Sequence, residues 1–446
     1  MGTPKRHSLT LDGRDVSLLR GDPITGDRYY SKEFAQREWD HMWTRVWHIA
    51  GRVNELVAPG DYIVHNFMHE SVIVVRQDDG TLKGFYNVCR HRGLRLVQNS
   101  AFVKDGFHCP YHGWHWGKDG VLIRVQDSDD YPQGNPCGKI KLKEVQVDTW
   151  GGFVWYTMSD KAESLSKFLE PIPEIYRNYP LETLVRVAWY KIELNTNWKF
   201  SIDNFSESYH TRTLHPQVPP WIDQDVSSAR HEMFPRGHGR TVQPMRPSLT
   251  DRLPDGVPHP YDDILRMWGI NPDSYPDFAT KAMQGWLDLK AQKRKLWKER
   301  GYLHYEHMND EELTDSPHTV LFPNCTISFL PDNIIFFRTE PHPNDPNKCT
   351  FDLWCMAFPV KGQTEVESIM AGRQPLREAE MEYRVFDWGK GVPELADQIV
   401  FQDMMVAEAQ QQGLHSRGFT DAYLSGQETR VRFFHEVLND WLEGRR

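Results

Sequence analysis

The chain reads as an α+β protein of two sheet-bearing domains. The first is a small antiparallel β domain; the second is a larger domain whose antiparallel sheet is covered by helices. Three observations predict this. Short β-rich runs broken by turn residues fill the stretch from 46 to 156. A second set of strands recurs at 186–194 and across 319–358, while helical patterning gathers towards the C-terminus. Strands and helices are therefore segregated along the chain instead of alternating. The expected divisions are a helical arm at 1–45, the β domain at 46–160 and the larger domain at 161–446.

Each element has a local reason. In the arm, Ser31 caps a helical pattern whose apolar positions fall at 34, 35, 39, 42 and 43. The β domain has strand runs at 62–64, 71–76, 83–88, 141–147 and 152–156. They are separated by Pro59-Gly60, Asp78-Asp79-Gly80, Lys118-Asp119-Gly120 and the 132–138 loop. A link with Pro171, Pro173 and Pro180 follows, then the strand 186–194. Residues 216–315 are rich in Pro, Asp, His and Arg and contain one long helix, 277–299; the remainder reads equally as a lid or as surface padding. Strands are expected at 319–322, 325–330, 333–338 and 350–358, and closing helices at 375–388, 394–412 and 427–443.

Composition narrows the function. A net charge of -10 opposes nucleic-acid binding, which wants a basic surface. No apolar run reaches the length of a spanning helix, and the N-terminus lacks the apolar core of a signal peptide, so a cytoplasmic, membrane-free protein is expected. The 6 Cys are too few for a disulfide framework; Cys137, Cys325, Cys349 and Cys355 read as free thiols.

The other two Cys sit in paired hooks, Cys89-Arg90-His91 and Cys109-Pro110-Tyr111-His112, each followed by a glycine (Gly93, Gly113). Two thiolates and two imidazoles suit a tetrahedral zinc or a [2Fe–2S] cluster with Cys on one iron and His on the other. Zinc hooks commonly pair Cys with Cys and His with His. Here each hook carries one of each, as the asymmetric cluster requires. Neutral imidazoles make such a cluster easier to reduce, at roughly -150 to +300 mV against about -400 mV for plant-type all-Cys ferredoxins. Tyr111, Trp114 and Trp116 are placed to shield it, and His108 and His115 read as structural.

About a hundred residues later comes Asp203-Asn-Phe-Ser-Glu207-Ser-Tyr-His210-Thr-Arg-Thr-Leu-His215-Pro216. Glu207 and His210 share a helical face. His210 and His215 do not, so serving one ion requires the helix to end between them, and Leu214-His215-Pro216 is the place for that. Two His and a carboxylate with open positions is the ligand set of non-haem Fe(II) oxygenases. By spacing alone, Glu207 is the nearest carboxylate. Asp203 reads either as a supporting group or as a helix start, Asn204 as a supporting group, and Trp198 and Tyr209 as packing.

Both motifs, in this order over about residues 30 to 430, resemble the α (catalytic) subunits of Rieske-type non-haem iron ring-hydroxylating oxygenases. The resemblance implies a Rieske [2Fe–2S] domain holding its cluster through Cys89, His91, Cys109 and His112. It implies a helix-grip catalytic domain with mononuclear Fe(II) on His210, His215 and an Asp near the C-terminus. Phe401-Gln402-Asp403 matches that segment, making Asp403 the third ligand, with Asp397 and Glu408 as alternatives. Glu207 then becomes the carboxylate bridging His210 to the cluster ligand His112. Many ring dioxygenases carry Asp there, and Glu is common in relatives that oxidise quaternary ammonium compounds.

The implied activity is O₂-dependent hydroxylation of an aromatic substrate, dihydroxylation included. The alternative is oxidative demethylation or C–N/C–O cleavage, for example of a quaternary amine. No dinucleotide-binding Gly-x-Gly-x-x-Gly follows a strand. A separate NAD(P)H reductase, with or without a ferredoxin, is therefore the expected electron source. The family also implies a homotrimer, or an α3β3 assembly with a small β subunit.

Overall fold

The computed structural model describes residues 10–250, 260–368, 370–384 and 398–446. The chain forms two compact units, Glu38–Leu169 and Met1–Arg37 joined with Glu170–Arg446. The N-terminal arm is thus split near residue 38, not set apart as 1–45. Its helix Lys32–Glu38 runs into a wider turn, Trp39–Trp43, that buries Met42 and Trp43 in the smaller unit.

In the smaller unit seven strands pair in the order Trp47–Arg52, Phe153–Thr157, Glu144–Trp150, Leu82–Tyr86, Glu70–Arg76, Asp61–Phe67 and Ala101–Phe102. All these pairings are antiparallel. Glu70–Arg76 is central, and its five middle residues are buried, as its unbroken Val-Ile-Val-Val core demands. A second, three-stranded sheet joins Phe107–His108, His115–Trp116 and Leu122–Arg124. Ile73, Phe85, Phe107, Trp114 and Trp116 pack with Cys89 and Cys109 in one apolar cluster.

The larger unit is built on a nine-stranded sheet. Its order is Leu11–Asp12, Arg230–Met233, Gly239–Pro244, Asp315–Leu321, Cys325–Phe329, Asn333–Pro341, Cys349–Ala357, Val185–Leu194 and Met381–Arg384. Every pairing is antiparallel except the last, where Met381–Arg384 runs parallel to Val185–Leu194. Helices Phe278–Leu296, Gln398–Leu414 and Thr429–Leu442 belong to the same unit. Asp277 caps the first by accepting from the Thr280 N–H, so the expected helix at 277–299 forms nearly as read.

Two expectations are corrected. Over the described residues 375–384 the expected helix does not form, and 385–388 lie outside the described residues: Met381–Arg384 is a strand, held by the backbone of its neighbour more than by its own mixed pattern. The 216–315 stretch is neither lid nor padding throughout, because it supplies Arg230–Met233 and Gly239–Pro244 to the main sheet. These segments carry Arg, His, Glu and Gln without apolar alternation, so only their ladder partners make them strands. Among the described residues no helix is long and apolar enough to cross a membrane.

Candidate metal centres

In the larger unit the helix Lys199–Phe205 stops and a single turn, Thr211–Leu214, follows. His210 precedes that turn and His215 ends it at φ -120°, ψ 69°, outside helical space. Pro216 explains the ending, since the residue before proline is pushed out of the α region. Leaving the helix swings the His215 ring back, and the two imidazoles lie 5.2 Å apart at 81°. Asp403 reaches them from the helix Gln398–Leu414. Its Oδ1 is 3.0 Å from His215 Nε2 and 3.7 Å from His210 Nε2. Ligand atoms of all three lie within 4.8 Å of one another.

The outer nitrogens set the tautomers. His210 Nδ1 donates to Glu207 Oε1 at 2.5 Å. His215 Nδ1 donates to Gln402 Oε1 at 2.8 Å, a carbonyl that also accepts from the Gln217 amide. Each neutral ring then turns an Nε2 lone pair towards a carboxylate oxygen. In that tautomer acceptor faces acceptor, an arrangement that a cation between them would satisfy. Among the described residues the buried Asp403 Oδ2 has no hydrogen-bond partner, which fits a group able to hold a metal ion. Burial pulls the His210 pKa down, but the Glu207 hydrogen bond and the charges of Glu207 and Asp403 outweigh it and leave it raised.

The smaller unit holds a second centre with internal repetition. Cys89 N–H bonds to Leu94 O and Gly93 N–H to Cys89 O. In the other loop Cys109 N–H bonds to Trp114 O and Gly113 N–H to Cys109 O. Gly93 and Gly113 take φ of 78° and 68°, the left-handed conformation that closes both turns and that other residues resist. The His91 and His112 rings sit 4.6 Å apart, and the Nδ1 of each is buried with no partner among the described residues. Burial raises the Cys89 thiol, with Cys109 beside it. Two buried thiols and two unsatisfied imidazole nitrogens are a donor set that fits the asymmetric cluster. Trp114 stacks on His91 at 4.7 Å and Trp116 is wholly buried, but Tyr111 is 54% exposed, lying over His112 instead of in the core.

The remaining sequence candidates separate cleanly. Glu408 bonds to the Asn195 backbone and side-chain amides, away from the triad. Asp397 lies outside the described residues. Asp203 is not a helix start: it accepts from Tyr29 at 2.6 Å and contacts His435 Nε2 at 3.0 Å. Asn204 lines a small cavity with Asp403, its Nδ2 without a partner among the described residues. Trp198 is buried packing, whereas Tyr209 is 53% exposed. His108 and His115 stack at 3.7 Å across paired strands. Sequence reasoning assigned no role to Gln402 or to His318; only adjacency to Asp403 pointed at the first, and nothing local at the second.

His210, His215 and Asp403 line one pocket. Its walls are Phe205, Val218, Trp221, Ile222, Leu330, Ile335 and Phe337, with a polar strip from Thr241, Gln243, Ser316, His318 and Ser328.

Two family descriptions match the chain: the Rieske [2Fe-2S] domain over residues 46–136, and the ring hydroxylating alpha subunit (catalytic domain) over residues 181–444. The chain belongs to the ring-hydroxylating oxygenase α-subunit family, whose two centres are a Rieske [2Fe–2S] cluster and a mononuclear iron. It is 29% identical over 201 residues to the carnitine monooxygenase oxygenase subunit of Acinetobacter pittii, covering 44% of this chain and 53% of that one. It is 27% identical over 293 residues to the N,N-dimethyl phenylurea N-demethylase subunit alpha of a Sphingobium species, covering 64% and 60%. To the large oxygenase component of naphthalene 1,2-dioxygenase from Pseudomonas aeruginosa it is 32% identical over 209 residues, 45% of each. The chain spans about half the length of the curated relatives it matches. Among solved structures, a quaternary ammonium Rieske monooxygenase superposes with a TM-score of 0.65 at 17% identity, covering 94% and 95%. Naphthalene 1,2-dioxygenase gives 0.59 at 21%, covering 97% and 92%. At these identities the likeness speaks for the fold alone.

Proposed function

We propose that this protein uses O₂ and externally supplied electrons to oxidise a neutral, aromatic-bearing substrate held over His210, His215 and Asp403. The observation that carries this is a His–His–carboxylate set at an apolar-walled pocket. Iron bound by these three residues supplies dioxygen activation, and the cluster on Cys89, His91, Cys109 and His112 supplies electrons. The protein's own groups do the rest. Glu207 and Gln402 hold the two imidazoles in the tautomer that presents Nε2. Phe205, Phe337 and Trp221 exclude water and give a ring flat surfaces to lie against. Glu207 also serves, in this reading, as the bridge through which electrons arrive from His112 of a neighbouring subunit. A separate reductase, with or without a ferredoxin, and a homotrimeric or α3β3 assembly complete the proposed system. The free thiols support a cytoplasmic setting.

Ring hydroxylation is the first form of this chemistry. Oxidative demethylation is the second, supported by a relative named as an N,N-dimethyl phenylurea N-demethylase. A quaternary ammonium substrate is the other form of this second reading, supported by Glu207 through the family resemblance and by relatives named carnitine and glycine betaine monooxygenases. The pocket sets one condition on it. Among the described lining residues the only carboxylates are Glu207 and Asp403, both engaged with the histidines, so a cation has no free counter-charge. The test is product analysis under ¹⁸O₂ with a surrogate reductase and a panel of arenes, N-methyl aryl amides and quaternary amines. Labelled diols or phenols support the first form, and formaldehyde release from aryl amides the second. Turnover confined to quaternary amines refutes the neutral-substrate reading.

A further inference from the structure

We propose that His318 determines specificity in this pocket by donating a hydrogen bond from Nε2–H to a carbonyl-type oxygen on the aromatic substrate. The inference rests on the same pocket as the proposed function and deepens it by naming what the substrate must carry besides a ring.

His318 lies on the strand Asp315–Leu321, where register places it between Thr241 on one neighbour and Ser328 on the other, with Ile335 next beyond. All four line the pocket. This rung runs from polar to apolar across the sheet, and the imidazole stands at the change. One ring nitrogen is already committed: Nδ1 lies 2.6 Å from Ser328 Oγ. The other, Nε2, is buried and has no partner among the described residues. An unsatisfied buried polar atom in a ligand pocket is a cost that a bound molecule relieves.

The tautomer decides what kind of molecule. Among the described residues the Ser328 hydroxyl has no other partner. If that hydroxyl donates to Nδ1, its hydrogen is used and the ring hydrogen sits on Nε2, leaving one group to be matched. If Nδ1–H donates instead, both the serine hydrogen and the Nε2 lone pair are stranded. The first arrangement leaves fewer unmet groups, so Nε2 is a donor and its complement an acceptor. Burial and the positive charge of Arg430 push the imidazolium form down to a pKa of about 3, so the ring stays neutral and selects by hydrogen bonding, not by charge. Phe205, its ring centroid 5.4 Å from that of His318 and stacked 4.6 Å from Phe337, sets an apolar wall beside the donor. Ring and oxygen together suit an aryl ketone, amide or urea better than a plain hydrocarbon.

The test reads binding without turnover. Iron-loaded, cluster-loaded wild-type protein is equilibrated anaerobically with acetophenone and with α-methylstyrene, which replaces C=O by C=CH₂ at nearly the same shape. Dialysis gives the two dissociation constants. Wild type is expected to favour acetophenone by about tenfold, the ratio that ~1.4 kcal/mol represents. In His318→Leu the ratio falls to near one. In His318→Gln, which keeps an N–H donor, it recovers in part. An unchanged ratio in His318→Leu, no wild-type preference, or failure of wild type to bind either probe overturns the proposal. Because no oxidation is required, a tenfold preference without product under turnover conditions would sink the proposed chemistry while leaving the role of His318 standing.

Discussion

Replacing Asp403 by alanine gives the sharpest test of the triad, because metal-free and metal-bound protein should respond in opposite ways. Without metal, Asp403 is 4% exposed, its Oδ2 has no partner among the described residues, and its Oδ1 faces two imidazole nitrogens at 3.0 and 3.7 Å. An unsatisfied buried polar atom costs about 1–3 kcal/mol. Removing it offsets the small cavity left behind, so metal-free Asp403→Ala should unfold within about 2 °C of wild type, or above it. With metal the sign reverses. Anaerobic Fe(II) at a hundredfold excess over Kd stabilises wild type by about 2.7 kcal/mol. For a unit of more than three hundred residues, at about 2.1 cal/mol/K of unfolding entropy per residue, that is a rise of about 4 °C in Tm. With two imidazoles and no carboxylate the variant should show almost none of that rise. The assay is thermal unfolding followed by tryptophan fluorescence with and without Fe(II), while visible absorbance confirms that the cluster survives. Equal metal-induced shifts in wild type and variant would refute Asp403 as the third ligand. A large loss of stability in the metal-free variant would refute the claim that its carboxylate is held for a cation.

Three further outcomes follow from the same geometry. His210→Ala should abolish turnover yet leave the visible cluster spectrum intact; loss of that spectrum would mean His210 serves the other centre. Glu207→Gln should keep both metals while slowing electron delivery at least tenfold in single-turnover experiments, and undiminished kinetics would remove its bridging role. Acidification should loosen the larger unit, because burial holds His231 down to about 4 and His318 down to about 3, with Arg430 adding to both. The unfolded chain takes up these protons near pH 6.5 and the folded chain does not. Stability is therefore full above pH 6.5 and falls towards pH 4, by up to about 1.4 kcal/mol per pH unit per histidine. A flat Tm between pH 7 and 5 would contradict this.

How far the site could be read beforehand depended on the distance between its parts. The two Cys–His loops proposed to hold the cluster were legible because each is a closed loop of a few residues: Cys89 to His91 and Cys109 to His112 each carry their own turn and glycine. The pairing of His210 with His215 was legible because Pro216 announces where the helix must stop. The strands 230–233 and 239–244 were not, since their residues have no apolar alternation and owe their conformation to neighbours. Glu207 was the better carboxylate by spacing. It proved to hold the far side of the His210 ring, and Asp403 approached the near side from a different helix.

By itself, then, the order of residues determined the chemistry available: two thiol–imidazole hooks, a histidine pair with a proline stop, and strands enough for two sheets. Only the tertiary structure decided which carboxylate meets the histidines, 188 residues along the chain from His215, and that Gln402 and His318 belong to the same pocket. Spacing of a few residues limits which side chains share a turn or a face. Convergence across hundreds of residues depends on how sheet and helices pack, and no local pattern encodes that.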